Sequence, residues 1–343
     1  MTNAPRRVEN PPNPWASAHV EWLEEPPPVA LAVYEEEAKS ILAENESPDL
    51  GFRWSVNPYR GCQHACAYCY ARPTHQYLGF GAGTDFDSKI VVKRNAPELL
   101  RVELAAARRT EKRTSLAFSG VTDCYQPLEA SYELTRRCLE VCDEFRQPVV
   151  VITKGALVRR DVELLARMAR RGGAKVSLSI PFADEDDARK LEPFASAPAT
   201  RFETLRRLAE AGVPVGVALA PLIPGLNDFQ VPEILARARA AGARSAFLVL
   251  LRLPAEVRAV FAERLRATFP ERAAKVERAL REMRGGALYR AEFGARMRGE
   301  GPRWEAVRQL FQLQCRRLGL EHGFDEGGDV GPAPARQLDL FGP

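Results

Sequence analysis

Short runs of apolar, often β-branched residues alternate along this chain with longer stretches in which apolar positions recur every third or fourth residue. "TSLAFS" (114–119), "PVVVIT" (148–153), "KVSLSI" (175–180), "PVGVALA" (214–220) and "SAFLVLL" (245–251) carry the strand pattern. A shorter candidate lies at Arg53–Val56. Amphipathic stretches fall near 94–108, 129–146, 161–171, 200–211 and 231–241. Strands separated by helical segments indicate βα units and a parallel sheet, since parallel neighbours need a crossover between them. Six successive units predict an α/β fold, a partial (β/α)6 TIM-like barrel rather than an eight-unit one. In any such barrel, chemistry collects at the C-terminal ends of the strands.

The flanks read differently. Residues 1–50 are rich in proline and acid ("NPPNPW", "EEPPP", "YEEEAKS") and predict an irregular N-terminal extension with one short helix near 35–44. "TRFE" (200–203) has the form of a capping box, with Thr200 facing Glu203, at the start of a helix. Beyond residue 254 the pattern turns helical, through "ERAAKVERALREM" (271–283) and "WEAVRQLFQLQCRRLGL" (304–320). The expected organisation is an extension over 1–50, a barrel over 51–285, a C-terminal helical segment over 286–322 and a Gly/Pro-rich flexible tail over 323–343.

Composition narrows the class. The chain has 343 residues, 45% hydrophobic and 27% charged, enough for a substantial core. Its net charge of +4 permits a nucleic-acid partner without arguing for one. Arginine pairs such as Arg136-Arg137, Arg159-Arg160 and Arg206-Arg207 read as solvated helix faces. No stretch approaches the roughly 18–20 apolar residues of a membrane span, and "MTNAPRRVENPPNPW" lacks the apolar core of a secretory signal. The expectation is a cytoplasmic protein with no membrane partner and reduced cysteines. Seven cysteines in that setting point to metal or catalysis before disulfides.

"YRGCQHACAYCYARP" (59–73) places Cys62, Cys66 and Cys69 in C-x3-C-x2-C spacing, just past the first strand. Iron–sulfur clusters of four irons are normally held by four cysteines, so three would leave one iron open to an external ligand. A zinc site completed by His64 or His75 is the other reading, since Cys3His is an ordinary zinc set. Cys138 and Cys142, four residues apart on one helix face, read as buried small hydrophobes.

The spacing, with an aromatic, Tyr68, before the third cysteine, resembles the cluster motif of the radical SAM superfamily. That resemblance implies a [4Fe–4S] cluster on the three cysteines and S-adenosylmethionine on the open iron. It also implies an electron donor such as flavodoxin or ferredoxin. Reductive cleavage of the sulfonium would yield a 5′-deoxyadenosyl radical that takes hydrogen from a substrate.

Within the superfamily the chain is similar to the branch related to spore photoproduct lyase, through "NPYRGC", "YCYARPTHQYLGF", "TDCYQPLE", "VVVITKGALVRRD", "EPFASAPATRFETL" and "GVPVGVALAPLIPGLND", spread from about 45 to 320. By that resemblance Ser119, Gly120, Thr122 and Asp123 flank the methionine amino group. Lys154 pairs with the methionine carboxylate, and Ser179 faces the ribose. The backbone from Ala220 to Gly225 lies by the adenine, and Arg201 sits near the carboxylate or the substrate. Each has a plainer alternative: a strand-end lysine in solvent, a strand hydroxyl facing a helix, an arginine serving its own helix. Cys124 departs from the proline usual at its position. It is either a displaced hydrogen-atom donor, the family's cysteine position falling at Val121 here, or a tolerated substitution.

"QLDLF" (337–341) ends the tail with apolar groups that have no local core. It resembles the motif by which bacterial replication and repair proteins bind the sliding clamp, with Gln337, Leu338, Asp339, Leu340 and Phe341 as partner-binding residues, Gln337 in a polar subsite and Leu340 and Phe341 in a hydrophobic pocket. Residues 323–336 as coil would span about 20 Å, enough to tether an enzyme near DNA. The expectation is a radical SAM enzyme acting on a DNA lesion, with Arg296, Arg298 and Arg303 as candidate phosphate contacts or members of a charged loop at the barrel mouth. Radical chemistry on RNA, protein or a metabolite is the alternative, as is a non-catalytic iron–sulfur adaptor on the clamp.

Overall fold

The computed structural model describes residues 31–107 and 114–322 and the backbone of 6–8. Its spine is one eight-stranded sheet. Six strands run parallel in chain order, β1 (Trp54–Val56), β2 (Leu116–Phe118), β3 (Val149–Thr153), β4 (Ala174–Ser179), β5 (Val215–Leu222) and β6 (Ser245–Leu250). Leu42–Glu44 adds an antiparallel edge beside β1, and Glu321–His322 a parallel edge beside β6. These two edges do not pair with each other, so the sheet stays open as a partial barrel.

Helices α1 (Ala96–Ala107), α2 (Leu134–Phe145), α3 (Val162–Ala169), α4 (Pro198–Glu210) and α5 (Val231–Ala240) form the crossovers. After β6 come α6 (Val257–Thr268), α7 (Pro270–Glu282) and α8 (Gly301–Leu318). β4 and β5 are buried along nearly their whole length, as expected of strands covered on both faces. Their Val176, Leu178, Val217 and Leu219 join Leu164, Leu205 and Ile234 of the helices in one continuous core.

Two expectations are corrected. Residues 35–44 hold no helix. Ala32–Glu36 is a strand, with Val33 buried, paired in parallel with Lys89–Lys93 in a second sheet ordered Arg6–Val8, Ala32–Glu36, Lys89–Lys93, Tyr59–Arg60. Leu42–Glu44 starts under Glu103 of α1, whose carboxylate accepts the amides of Ile41 and Leu42 at 3.0 and 2.8 Å. Pairing with a distant partner overrides local helix propensity here.

The capping box also fails. α4 begins at Pro198, two residues earlier, and no side chain caps it. Proline pre-sets the backbone angle of a first helical turn and has no N–H to satisfy there. Glu203 pairs instead with Arg206 and Arg207 at 2.6 and 2.8 Å.

The second sheet frames the cysteine segment. Tyr59–Arg60 and Lys89–Lys93 pair antiparallel, Tyr59 opposite Val92 and Arg60 opposite Val91, so residues 61–88 form a long loop closed at its base. Just beyond β3 the chain passes so close to its neighbour that a Cβ on Gly155 would lie 2.3 Å from the Tyr125 carbonyl oxygen. That contact sets the path of Lys154. Gly155→Ala should therefore cost about 1–3 kcal/mol of stability, read as a lower urea midpoint. Gly51→Ala, which has open space and no positive φ, should change it far less; equal midpoints for the two variants would refute the argument.

Candidate functional site

The three cysteines sit at the C-terminal end of β1. Cys62 and Cys66 are buried and Cys69 half-buried. Between Gly61 and Ala71 the loop has no helix or strand, and side chains from its later part and from the loop after β2 hold it. Arg72, 1% exposed, donates to the Cys66 carbonyl through Nε and Nη2 at 3.0 and 2.9 Å, and to the Ala82 and Gly83 carbonyls and Asp87. Its guanidinium also lies over the Phe86 ring. Gln126 donates to the Gly61 carbonyl and accepts the Gln63 amide, while Gln63 accepts the Leu128 amide. Thr122 donates to the same Gly61 carbonyl at 2.6 Å, and Gly61 itself has φ +80°.

Donor chemistry suits an iron–sulfur cluster. Burial pushes all three thiols up, most at Cys62 and Cys66, so thiolates here require a cationic partner. Backbone amides of Asp123 and Ala71 hydrogen-bond the sulfurs of Cys62 and Cys69, which favours the charged form. Each histidine weighed for zinc has one ring nitrogen engaged elsewhere. His75 Nε2 lies 2.8 Å from the Lys89 carbonyl, and His64 Nδ1 faces Asp123 at 3.3 Å. Among the described residues no three His, Cys, Asp or Glu side chains converge as ligands of one ion.

Behind Cys66 lies a buried charge network. Glu192, with no side-chain exposure, accepts Tyr68 Oη and Arg201 Nη2. Lys154 Nζ stands 3.8 Å from Glu192, donates to Ser179 Oγ at 2.7 Å and lies over the Tyr68 ring. Ser179 in turn donates to the Ala220 carbonyl on β5 at 3.0 Å. Burial depresses the Lys154 ammonium while Cys66 draws it back up. Burial raises the Glu192 carboxyl against the pull of Arg201. Arg201 thus pairs closely with Glu192, while Lys154 stands farther from that carboxylate and also feels the Asp123 carboxylate.

Arg201 also reaches the Ser179 and Ser196 carbonyls, so it links β4 and the 192–196 segment to α4 rather than standing free for a ligand. Lys154 is not a strand-end lysine in solvent. Sequence reasoning gave no role to Glu192, Arg72, Gln63 or Gln126. The only trace of them was their place inside the quoted segments "EPF", "CYARP", "GCQH" and "TDCYQP".

The loop after β2 is tightly committed. Asp123 Oδ1 accepts Thr153 Oγ1 at 2.6 Å and the Tyr125 amide at 2.9 Å, and Oδ2 accepts the Lys154 amide at 2.8 Å while facing His64. A carboxylate offers about four acceptor positions, and three of them take hydrogen bonds from the protein, from Thr153 and from the Tyr125 and Lys154 amides. Ser119, at φ +76°, accepts the Cys124 amide. Gly120 offers its carbonyl to Tyr70 Oη at 2.6 Å. Cys124 is fully buried, in the same apolar cluster as Cys66 and Tyr68, with its thiol pushed up by burial. Val121 is the exposed residue of this loop.

The three candidate phosphate contacts separate. Arg296 Nε is held by Asp49 at 2.6 Å, and Arg303 Nε by Glu282 at 2.7 Å. Arg298 is exposed. Among the arginine pairs, Arg160 is no solvated residue: it joins the buried carboxylates of Glu129 and Asp161. The "QLDLF" residues lie outside the described residues.

The radical SAM superfamily model matches residues 56–238, more than half of the chain, and the chain belongs to that superfamily. It is a radical SAM enzyme whose cofactors are a [4Fe–4S] cluster and S-adenosylmethionine. An uncharacterised protein of Mycobacterium tuberculosis is 36% identical over 246 residues, covering 70% of this chain and 71% of that protein. An uncharacterised protein of Methanocaldococcus jannaschii is 31% identical over 180 residues, 52% and 64%. Among solved structures, spore photoproduct lyase complexed with dinucleoside spore photoproduct shares the fold at TM-score 0.63 and 14% identity, over 85% of this chain and 82% of that one. A mutant of the same lyase with bound AdoMet and the dinucleoside gives 0.64 and 15%, over 89% and 87%. Among the described residues no helix is long and apolar enough to cross a membrane.

Asp123 supports a pH prediction. Burial alone would raise its carboxyl, but His64, the Lys154 amide and Thr153 outweigh that and hold it down at about 2. A carboxylate whose folded value lies below its unfolded value of about 4 contributes stability that is complete above that pH and lost as pH falls towards 2. The difference corresponds to about 2.5 kcal/mol. In urea titrations of the cluster-free protein, Asp123→Asn should be less stable than wild type by that amount near neutral pH. The gap should close on acidification, and a gap independent of pH would contradict the assignment.

Proposed function

We propose that this enzyme acts on a DNA lesion of the photoproduct type and reaches DNA through the sliding clamp. The observation that carries the first part is the extent of the likeness to spore photoproduct lyase. It covers 81–89% of this chain in the structures compared, far beyond the core span of 56–238, so it includes the segments that shape the mouth. The tail motif supports the second part.

When bound, the cluster and S-adenosylmethionine supply a 5′-deoxyadenosyl radical by one-electron cleavage of the sulfonium. The electron comes from a small redox protein such as flavodoxin or ferredoxin. Cys62, Cys66 and Cys69 hold the cluster in this reading. Lys154, whose Nζ stands 3.8 Å from Glu192, takes the methionine carboxylate, with Glu192 and Arg201 fixing its position and Ser179 orienting it. Asp123 acts through structure, holding the ends of β2 and β3 together beneath the methionine site. Tyr68 ties the cysteine loop to Glu192 through its hydroxyl.

Anaerobically reconstituted protein with dithionite and S-adenosylmethionine should release 5′-deoxyadenosine. Cys66→Ala should release none, and Lys154→Met should raise KM for S-adenosylmethionine about tenfold or more, the loss of one charge-assisted contact. Ultraviolet-irradiated DNA should lose its photoproducts in this assay and undamaged DNA should be unaltered. Release of 5′-deoxyadenosine with no change in any irradiated DNA would move the substrate to RNA, protein or a metabolite.

Clamp binding is tested separately. Full-length protein should bind a purified bacterial clamp, and Leu340→Ala with Phe341→Ala should abolish that binding while leaving 5′-deoxyadenosine release intact. Equal binding by the double variant would remove the tail from the reading.

A further inference from the structure

Arg252, two residues past β6, has no acidic partner among the described residues. Its guanidinium lies 4.8 Å from the centroid of the Tyr70 ring, and Nη1 reaches Met297 Sδ at 3.4 Å. Its Nε is shielded from solvent and has no acceptor. A thioether is a weak acceptor, and a shielded donor left unpaired is unfavourable unless something else supplies the acceptor. The other arginines discussed above that are buried or bonded, Arg72, Arg160, Arg201, Arg296 and Arg303, all meet carboxylates.

The surroundings of Arg252 are aromatic and open. Tyr70 directly follows the third cysteine, is 44% exposed, and is tethered through Oη to the Gly120 carbonyl. Met297 belongs to the segment preceding α8, whose backbone carbonyl accepts the Leu250 amide at the end of β6 at 3.2 Å. In the same segment Phe293 is 60% exposed, with the Arg296 guanidinium 4.6 Å from its ring centroid. Asp49 fixes that segment through both Arg296 and the Gly294 amide. From the cysteine loop outward, the rim thus runs Tyr70, Arg252, Met297, Arg296, Phe293.

We infer that this rim binds single-stranded or locally opened nucleic acid, with a backbone phosphate on Arg252 and a base stacked on Phe293. The inference rests on the DNA reading above and names the surface that would serve it. A guanidinium offers paired donors at the spacing of phosphate oxygens. An exposed aromatic face accepts any base without reading sequence. Chemistry deep in a barrel mouth requires the target nucleotide to leave its stack, so the strand beside it must be held open at the rim. An acidic peptide would satisfy Arg252 but presents no planar group to Phe293.

The test is fluorescence anisotropy of a labelled single-stranded oligonucleotide with the cluster-loaded, full-length protein across a salt series. Arg252→Ala should weaken binding about tenfold near 100 mM salt and reduce the slope of log affinity against log salt by about 0.7. Phe293→Ala should weaken binding about 5- to 100-fold with the slope retained. Arg252→Lys should recover the slope. Arg170→Ala removes an equal charge from an exposed site at the end of α3, at the opposite end of the barrel, and should alter neither quantity. Thermal melts followed by circular dichroism report that the variants are folded.

Wild-type affinity and slope in Arg252→Ala and Phe293→Ala would overturn this inference while leaving the DNA reading intact. Polyglutamate competing as well as DNA at equal charge would also overturn it, in favour of an acidic peptide. A wild-type protein that cleaves S-adenosylmethionine yet binds no oligonucleotide would overturn both.

Discussion

Glu192 is sealed from water, and groups from three distant parts of the chain close on its carboxylate: Tyr68 from the cysteine loop, Arg201 from α4 and, at 3.8 Å, Lys154 from the end of β3. Breaking a buried ion pair by removing one partner costs about 3–5 kcal/mol, because the other charge is left unpaired. The arrangement is therefore close to all-or-none. With Glu192 charged, two cations sit within reach of Cys66. Without it, Lys154 and Arg201 would repel each other in a site that already disfavours the ammonium. The position of the cysteine loop relative to β3 and β4, and hence the shape of the mouth, follows from this one carboxylate.

The cysteine loop poses the opposite problem. It must bring three buried sulfurs together with almost no regular structure of its own. The solution combines a paired base at Tyr59–Val92, one buried arginine within the loop that gathers the carbonyls of Cys66, Ala82 and Gly83, and the glutamine exchange between Gln63 and the distant Gln126. Burial holds the thiols protonated, so their ionisation belongs with cluster binding. A rigid loop and reluctant thiols together favour a site that loads one large cationic group.

Legibility in the sequence followed how local each interaction is. The strands β2 to β6 were readable because strands covered on both faces appear as continuous apolar runs. The cysteine motif was readable because all of its spacing lies within eight positions. Ala32–Glu36 was not, since its acids and tyrosine resemble an exposed segment and its partner, Lys89–Lys93, lies far along the chain. Glu192 reads as a surface acid because nothing adjacent to it announces Arg201 or Tyr68. Asp123 was found as a site residue, but not its bonds to Thr153 and the Lys154 amide, which lie some thirty residues along the chain.

Charge illustrates why position outweighs totals. A net charge of +4 says little about a polyanionic partner, because most of the arginines described are matched by carboxylates within the protein. The informative cation is one the fold leaves unmatched. Arg252 is held against a ring and a thioether, groups that orient a guanidinium without neutralising it, whereas Arg296 is neutralised by Asp49 and so shapes the rim. A surface that uses some arginines to build its frame and keeps another unpaired concentrates positive potential at one point of the mouth. Placing that point two residues from the end of β6, beside the tyrosine that follows the third cysteine, puts a phosphate-sized anion within reach of the chemistry without drawing it onto the cluster itself.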